Sequence, residues 1–365
     1  MLCAMSPRPS RFRLVLACAG LLLLAACARQ DVRPVPPVAI DPTPASLPEP
    51  PPVRVGLALG GGAAKGFAHI GVIKMLEANG IGVDVVSGTS AGAVVGALYA
   101  GGMDAFAMQE RAVALDEASI RDVRLFSGGL LQGQKLQDYV NGQVSNRPME
   151  RLDKPFAVVS TRLDSGERAV FVRGNVGQAV RASSAVPGVF EPALIGGHSY
   201  VDGGVVSPVP VDAARQLGAD VVIAVDISTR ASGSAPQHML GIVNQSLAIM
   251  GERLGRQERA RAEVVIRPEV NDIGPADFAQ RARAIADGER AALAALPQIR
   301  EAIEQARAQR AAALAPRPPP EPEPVTCEQG WMQALNPFRQ QPDPGCGAPM
   351  ESNQRHPAAT GSGPR

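Results

Sequence analysis

Gly88-Thr89-Ser90-Ala91-Gly92 is preceded, one helix earlier, by Gly60-Gly61-Gly62-Ala63-Ala64-Lys65-Gly66, and these two stretches decide the fold. In a G-x-S-x-G turn the serine sits on a strained strand-to-helix elbow, and glycines two residues to either side leave room for close backbone passage. Val83 to Val86 supply the apolar strand entering the turn. Ala91 to Ala100, rich in Ala, Val and Leu, supply the helix leaving it.

Working outward, Val55, Leu57 and Leu59 alternate inside an apolar run that ends in three glycines, the pattern of a buried strand delivered into a loop without side chains. Gly66 to Asn79 then sets Phe67, Ile70, Val72, Ile73 and Leu76 at helical spacing, with Gly80 as the stop. The positive end of that helix meets the glycine loop, which suits the loop to an anion. A dinucleotide fingerprint needs glycine where Lys65 stands, and a phosphate-binding P-loop needs Gly-Lys-Ser/Thr; neither is present. The N–H groups of Gly60, Gly61 and Gly62 are therefore read as an oxyanion hole for Ser90, the candidate nucleophile.

A serine needs a base, and the chain has four histidines: His69 on the first helix, His198, His238 in a polar stretch and His356 in the tail. Tyr200-Val201-Asp202-Gly203-Gly204 instead puts a carboxylate at the end of an apolar segment, followed by two glycines that permit a sharp turn. Asp202 is the candidate base; an ordinary Asp-Gly-Gly turn is the other reading. Val221 to Ile227 reads as a further buried strand, ended by a rival acid, Asp226, and Val209 to Leu217 as the helix before it. The chain order Ser90, Asp202, His238 also suits a conventional triad.

These residues resemble the patatin-like phospholipase family, with the motifs in family order. Gly60 to Gly66 followed by His69-Ile70-Gly71-Val72-Ile73 is similar to its oxyanion segment, Gly88 to Gly92 to its nucleophile motif, and Asp202-Gly203-Gly204 to its acid motif. Ala182-Ser183-Ser184-Ala185-Val186-Pro187-Gly188-Val189-Phe190-Glu191-Pro192 resembles a block preceding the Asp strand. The resemblance implies an α/β, three-layer fold with a mainly parallel central sheet across residues 53–310. It also implies a Ser90–Asp202 dyad without histidine, acting on fatty-acyl esters of phospholipids or related lipids through an acyl-enzyme, with Lys65, Gly66, Gly88, Gly92, Gly203 and Gly204 as supporting motif residues. Two departures stand out: Lys65 replaces the usual arginine and loses its planar fork of donors. Ser160-Thr161-Arg162-Leu163 stands where Ala-Thr-Asp-Leu is usual, leaving Arg162 as either a head-group contact or an ion pair. Acyl transfer to an alcohol, or a non-catalytic envelope protein, are the alternatives.

The ends of the chain address location. Arg8, Arg11 and Arg13 precede a 13-residue apolar run, Leu14 to Ala26, too short to span a bilayer, so residues 1–26 read as a signal peptide. Leu24-Ala25-Ala26-Cys27 matches the bacterial lipobox, which makes Cys27 the lipidated mature N-terminus. With no Asp beside Cys27, the lipobox class implies the outer membrane, on its periplasmic face. Nine prolines between Arg33 and Pro52 suit residues 27–52 to an extended tether. Ile285, Leu293, Leu296, Ile299 and Ile303 recur at helical spacing, and Pro297 is expected to begin a second helix there. Residues 311–365 turn Pro-rich and are expected to be disordered, with Cys327 and Cys346 as a possible disulfide in an oxidising compartment.

Composition narrows the classes. A net charge of +1, from 36 basic and 35 acidic residues, gives no electrostatic footprint for nucleic acid. No Cys/His cluster has metal-ligand spacing, so neither metal nor cofactor is expected. Aromatic residues at 4% speak against an aromatic-lined carbohydrate groove.

Overall fold

The computed structural model describes residues 51–116, 122, 131–230, 237 and 239–314. The expected signal peptide, Cys27, most of the tether, His238, His356 and the Cys327–Cys346 pair lie outside the described residues.

The glycine-punctuated opening folds as read. β1 (Val55–Leu59) runs into a 3-10 turn (Ala63–Gly66), followed by α1 (Phe67–Ala78), β2 (Val85–Thr89) and α2 (Ala91–Ala100). Then come α3 (Ala105–Ala114), α4 (Gln134–Gln143), β3 (Phe156–Arg162), β4 (Arg168–Phe171), α5 (Val176–Ser183), β5 (Ala193–Ile195) and β6 (His198–Asp202). The chain closes with α6 (Val211–Gln216), β7 (Val221–Val225), α7 (Met239–Arg259), β8 (Val264–Ile266) and α8 (Arg281–Leu314).

One sheet carries the order β5-β6-β3-β2-β1-β7-β8, with β4 paired to β3 off that path. β8, β7, β1, β2 and β3 are mutually parallel, whereas β4 and β6 run antiparallel to β3, and β5 antiparallel to β6. Every residue of β1, β2 and β7 is buried, as expected for strands covered on both faces. Leu57, Leu59, Ile223 and Val225 face the larger core, shared with residues of α1, α2 and α8. Ala58, Val85, Val222 and Ala224 face the other way, against Val211 and Ala214 of the short α6. The result is helix, sheet and helix in three layers.

The chain lays down β1, β2 and β3 in one direction and later returns to place β7 on the other side of β1. The order of strands therefore reverses between β1 and β7, and such a switch point is where ligands bind beyond the carboxyl ends of a parallel sheet.

The expected second helix at Pro297 does not occur: α8 runs unbroken through it. Leu296, Ile299 and Ile303 are buried on both sides of the proline, so packing holds the two halves in line. Pro297 and Leu293 are both exposed, which leaves the carbonyl that lost its donor on the solvent side. Pro297→Ala should restore that hydrogen bond and raise stability by about 1–3 kcal/mol, read as a higher urea midpoint at unchanged slope. An unchanged midpoint would contradict this account of the helix.

Candidate active site

Ser90 lies between the last residue of β2 and the first of α2, with φ 53 and ψ −121, and is buried. A positive φ in a residue with a Cβ is strained, and the surroundings hold it there. Its N–H donates to Ser183 Oγ at 2.8 Å, and Ser183 Oγ in turn donates to the Val159 carbonyl of β3. Gly92 is required one turn later, because a Cβ there would overlap the Leu59 carbonyl at the end of β1. Gly88 and Gly66 likewise sit against α2, beside Ala93 and Ala91 respectively.

Register brings the acid to the serine. Thr89 pairs with Val159, and the next residue of β3, Ser160, pairs with Asp202. Because β3 outruns β2, it can carry an antiparallel strand that descends from Tyr200 and ends at the level of Ser90. Ser160 Oγ donates to the Val201 carbonyl at 2.7 Å and Thr161 Oγ1 to the Asp202 carbonyl at 2.8 Å, fixing that end. The chain then bends over β3 at Gly203, where a Cβ would overlap the Val159 carbonyl, so Asp-Gly-Gly is a required crossing as well as a turn. Gly204 N–H donates to Asp202 Oδ1 at 2.7 Å. Burial raises the Asp202 carboxyl to about 6, although the Ser90 hydroxyl and the Gly204 amide both favour its charged form. Asp202 N–H donates to the Ala185 carbonyl at 2.9 Å, so residues 183–185 brace Ser90 and Asp202 together. No local pattern marks Ser183 for this role, because its neighbour in space, Ser90, is 93 positions away.

The glycine loop differs from expectation. Gly60 N–H donates to the Val225 carbonyl at 2.9 Å, extending the β1–β7 ladder by one residue, and Gly61 N–H donates to the Pro208 carbonyl at 3.0 Å. Neither is free for a ligand. Among the described residues the Gly62 and Ala63 N–H groups have no hydrogen-bond partner, and both residues border the same space as Ser90. Ala63, with φ 51, turns the backbone there. Gly61 supplies room instead: a Cβ on it would stand 3.3 Å from Ser90 Cβ.

Behind the loop lie buried polar groups that brace it. His69 Nε2 donates to the Gly60 carbonyl at 2.8 Å, and burial lowers the imidazole to about 4, so it is neutral near pH 7. Lys65 Nζ donates to Thr229 Oγ1 at 2.6 Å; burial lowers its ammonium to about 8, opposed by the charge of Asp226. Glu258 of α7 accepts from Ser207 Oγ and from Val209 N–H, fixing the loop whose Pro208 carbonyl holds Gly61, and burial raises it to about 7. The rival acid, Asp226, has no exposed side-chain surface and pairs with Arg259 at 2.8 Å and Arg267 at 2.9 Å. It is an ion-pair partner with no share in the cleft. Arg162 pairs with Asp164 at 2.8 Å and does not border the cleft either.

The cleft, about 210 Å³, opens at the switch point between β1 and β7. Ser90, Asp202 and the glycine loop form its floor; Val186, Pro187, Val205, Leu247 and Met250 give it apolar walls. No histidine borders it among the described residues, and among them no group of acids, cysteines and histidines could hold a metal ion. No described helix is long and apolar enough to cross a membrane.

An uncharacterized NTE family protein of Mycobacterium tuberculosis is 38% identical over 186 residues, covering 50% of this chain and 51% of the relative. Patatin-like phospholipase domain-containing protein 6 of Mus musculus is 33% identical over 184 residues, covering 48% of this chain and 14% of the mouse protein. The crystal structure of VipD from Legionella pneumophila superposes with a TM-score of 0.40 at 14% identity, covering 70% of this chain and 68% of that one. The chain thus matches about half the length of its mycobacterial relatives. Residues 57–215, which contain the glycine loop, Ser90 and Asp202, match the family model for patatin-like phospholipases.

Proposed function

We propose that this protein is a serine lipid acyl hydrolase that cleaves fatty-acyl esters of phospholipids or related lipids, with Ser90 as nucleophile and Asp202 as base. The observation that carries the reading is a buried serine on a strained elbow, facing a carboxylate of raised pKa, at the floor of an apolar cleft. A carboxylate in water is a poor acceptor for a hydroxyl proton; one held near pKa 6 is better matched to neutral pH.

In this scheme Ser90 Oγ bonds to the ester carbonyl carbon while its proton passes to Asp202, and the carbonyl electron pair moves to oxygen. Gly62 and Ala63 N–H groups, unclaimed by the protein, donate to that oxyanion. Collapse breaks the ester C–O bond, and the departing alcohol takes the proton from Asp202. Water then gives a proton to Asp202 and its oxygen to the acyl carbon; the Ser90 Oγ–C bond breaks, Ser90 recovers the proton and the fatty acid leaves. Removal of water by lipid filling the apolar walls strengthens each of these electrostatic contacts.

The same reading extends to the cell envelope. We propose lipidation at Cys27 and an outer-membrane location on the periplasmic side, supported by the lipobox alone. The mature protein should begin at Cys27 with diacylglycerol on its thiol, a mass difference that intact-protein mass spectrometry reads directly. A mature chain beginning elsewhere, or an unmodified cysteine, refutes the anchor and leaves the hydrolase reading untouched.

Ser90→Ala should abolish hydrolysis of a dispersed short p-nitrophenyl ester with an unchanged circular dichroism spectrum. Asp202→Asn should lose about 10²–10⁴-fold in kcat, while His238→Ala stays near wild type. The opposite pattern assigns the chemistry to a histidine triad. Because Asp202 must be ionised to accept a proton, kcat/KM should fall as pH drops through about 6 and level off above it. A profile with no inflection between about pH 5 and 7 would remove Asp202 as base.

The oxyanion donors are tested through Gly62, where a Cβ would press on Ile227 at 2.7 Å and displace the amide. Gly62→Ala should reduce kcat by about 10²-fold with KM less affected. Unchanged turnover would detach this amide from the chemistry.

A further inference from the structure

α7 is built in two unlike halves. Its carboxyl-terminal half is fixed: Glu258 and Arg259 are buried, the first bound to Ser207 and Val209, the second to Asp226. Its amino-terminal half is not covered in that way. Met239, Ile242, Val243, Ile249 and Met250 share one face at helical spacing and are 82%, 51%, 44%, 46% and 53% exposed. No residue from Met239 to Gly251 carries a charge, and the exposed arginines Arg253 and Arg256 follow on the same side. A water-facing helix surface with this order, apolar and then basic, is unusual for a soluble domain.

The apolar face is continuous with the cleft. Leu247 and Met250 form one wall above Ser90, and Met250 is also among the exposed residues. Val186 and Pro187 also line the cleft, and Val189, two residues on, is exposed. An exposed apolar face continuous with a lipid-ester site, followed by two guanidinium groups, complements a bilayer whose head groups are anionic and whose acyl layer lies just beneath.

We propose that the amino-terminal half of α7, with the Val186–Val189 rim, docks this domain on an anionic phospholipid surface and sets the bilayer against the mouth of the Ser90 cleft. Met239, Ile242, Val243, Ile249 and Met250 enter the head-group boundary, Arg253 and Arg256 meet lipid phosphates, and a single acyl chain slides past Leu247 without crossing water. This deepens the hydrolase reading and rests on it for the identity of the cleft. The contact is separate from any acyl chain on Cys27.

The test uses the chain from residue 28 onward, which keeps every described residue and lacks the acylated cysteine. Sedimentation with vesicles of phosphatidylcholine containing about one-fifth phosphatidylglycerol reads docking without any chemistry. The double variant Ile242→Glu/Ile249→Glu, at positions that do not border the cleft, should lower the partition coefficient at least about tenfold. Arg253→Ala/Arg256→Ala should weaken binding to these vesicles several-fold and leave binding to pure phosphatidylcholine unchanged. Both variants should hydrolyse a dispersed short ester at the wild-type rate, which shows that the fold and cleft are intact. Equal vesicle binding by wild type and the glutamate variant overturns the proposal, as does a wild type that ignores vesicles but self-associates through this face in analytical ultracentrifugation. Vesicle binding by a wild type inert toward every ester would instead retain the docking surface and refute the hydrolase reading.

Discussion

The pairing of β3 with both β2 and β6 is the constraint on which the site depends. β3 is parallel to one neighbour and antiparallel to the other, so two strands that run in opposite directions end at the same height on the sheet. A slip of one residue in the β6 register would turn Asp202 to the opposite face. The Ser160 and Thr161 hydroxyls prevent that slip by donating to the last two carbonyls of β6, and the Ser183 hydroxyl ties the Ser90 amide to β3 itself. Ser90 and Asp202 are thus both referred to one strand, which fixes the geometry between them.

Buried carboxylates separate into different uses according to what surrounds them. Asp226 lies one residue beyond β7, as Asp202 lies at the end of β6, yet Arg259 and Arg267 stand against it. Such a pair, once buried, resists removal of either partner, since an unpaired charge would remain. Asp202 meets only neutral donors and keeps a raised affinity for protons. Glu258 is also raised by burial, but both of its oxygens are occupied in holding the Ser207–Val209 loop. Desolvation alone does not mark a base; an unfilled side facing a cleft is also needed.

The opening third of the domain was legible because its signals are local. Alternation in Val55–Leu59, helical spacing from Phe67 and glycines at 60–62, 80, 88 and 92 each constrain their own few residues. Three other features are decided by tertiary packing. Which glycine amides are free is decided by the carbonyls of Val225 and Pro208, well over a hundred positions downstream. Asp226 could not be separated from Asp202 without knowing that two arginines fold onto it. Pro297 carries a local stop signal that burial of Leu296 and Ile299 overrides. His69 falls between these cases: its place on α1 was readable, but its bond to the Gly60 carbonyl, which makes it a brace for the loop, was not.

The backbone of Ser90 sets heat resistance against chemistry at a single torsion angle. A side chain at φ 53 and ψ −121 costs on the order of 1–3 kcal/mol, which glycine would not incur. Relief of strain alone would favour glycine at this position, whereas the proposed chemistry requires the hydroxyl and with it a Cβ. Comparing the melting of Ser90→Gly with that of Ser90→Ala, which retains the Cβ, reads the stored strain net of the backbone entropy that glycine adds to the unfolded chain; a Ser90→Gly melting temperature below that of Ser90→Ala would mean the elbow stores little.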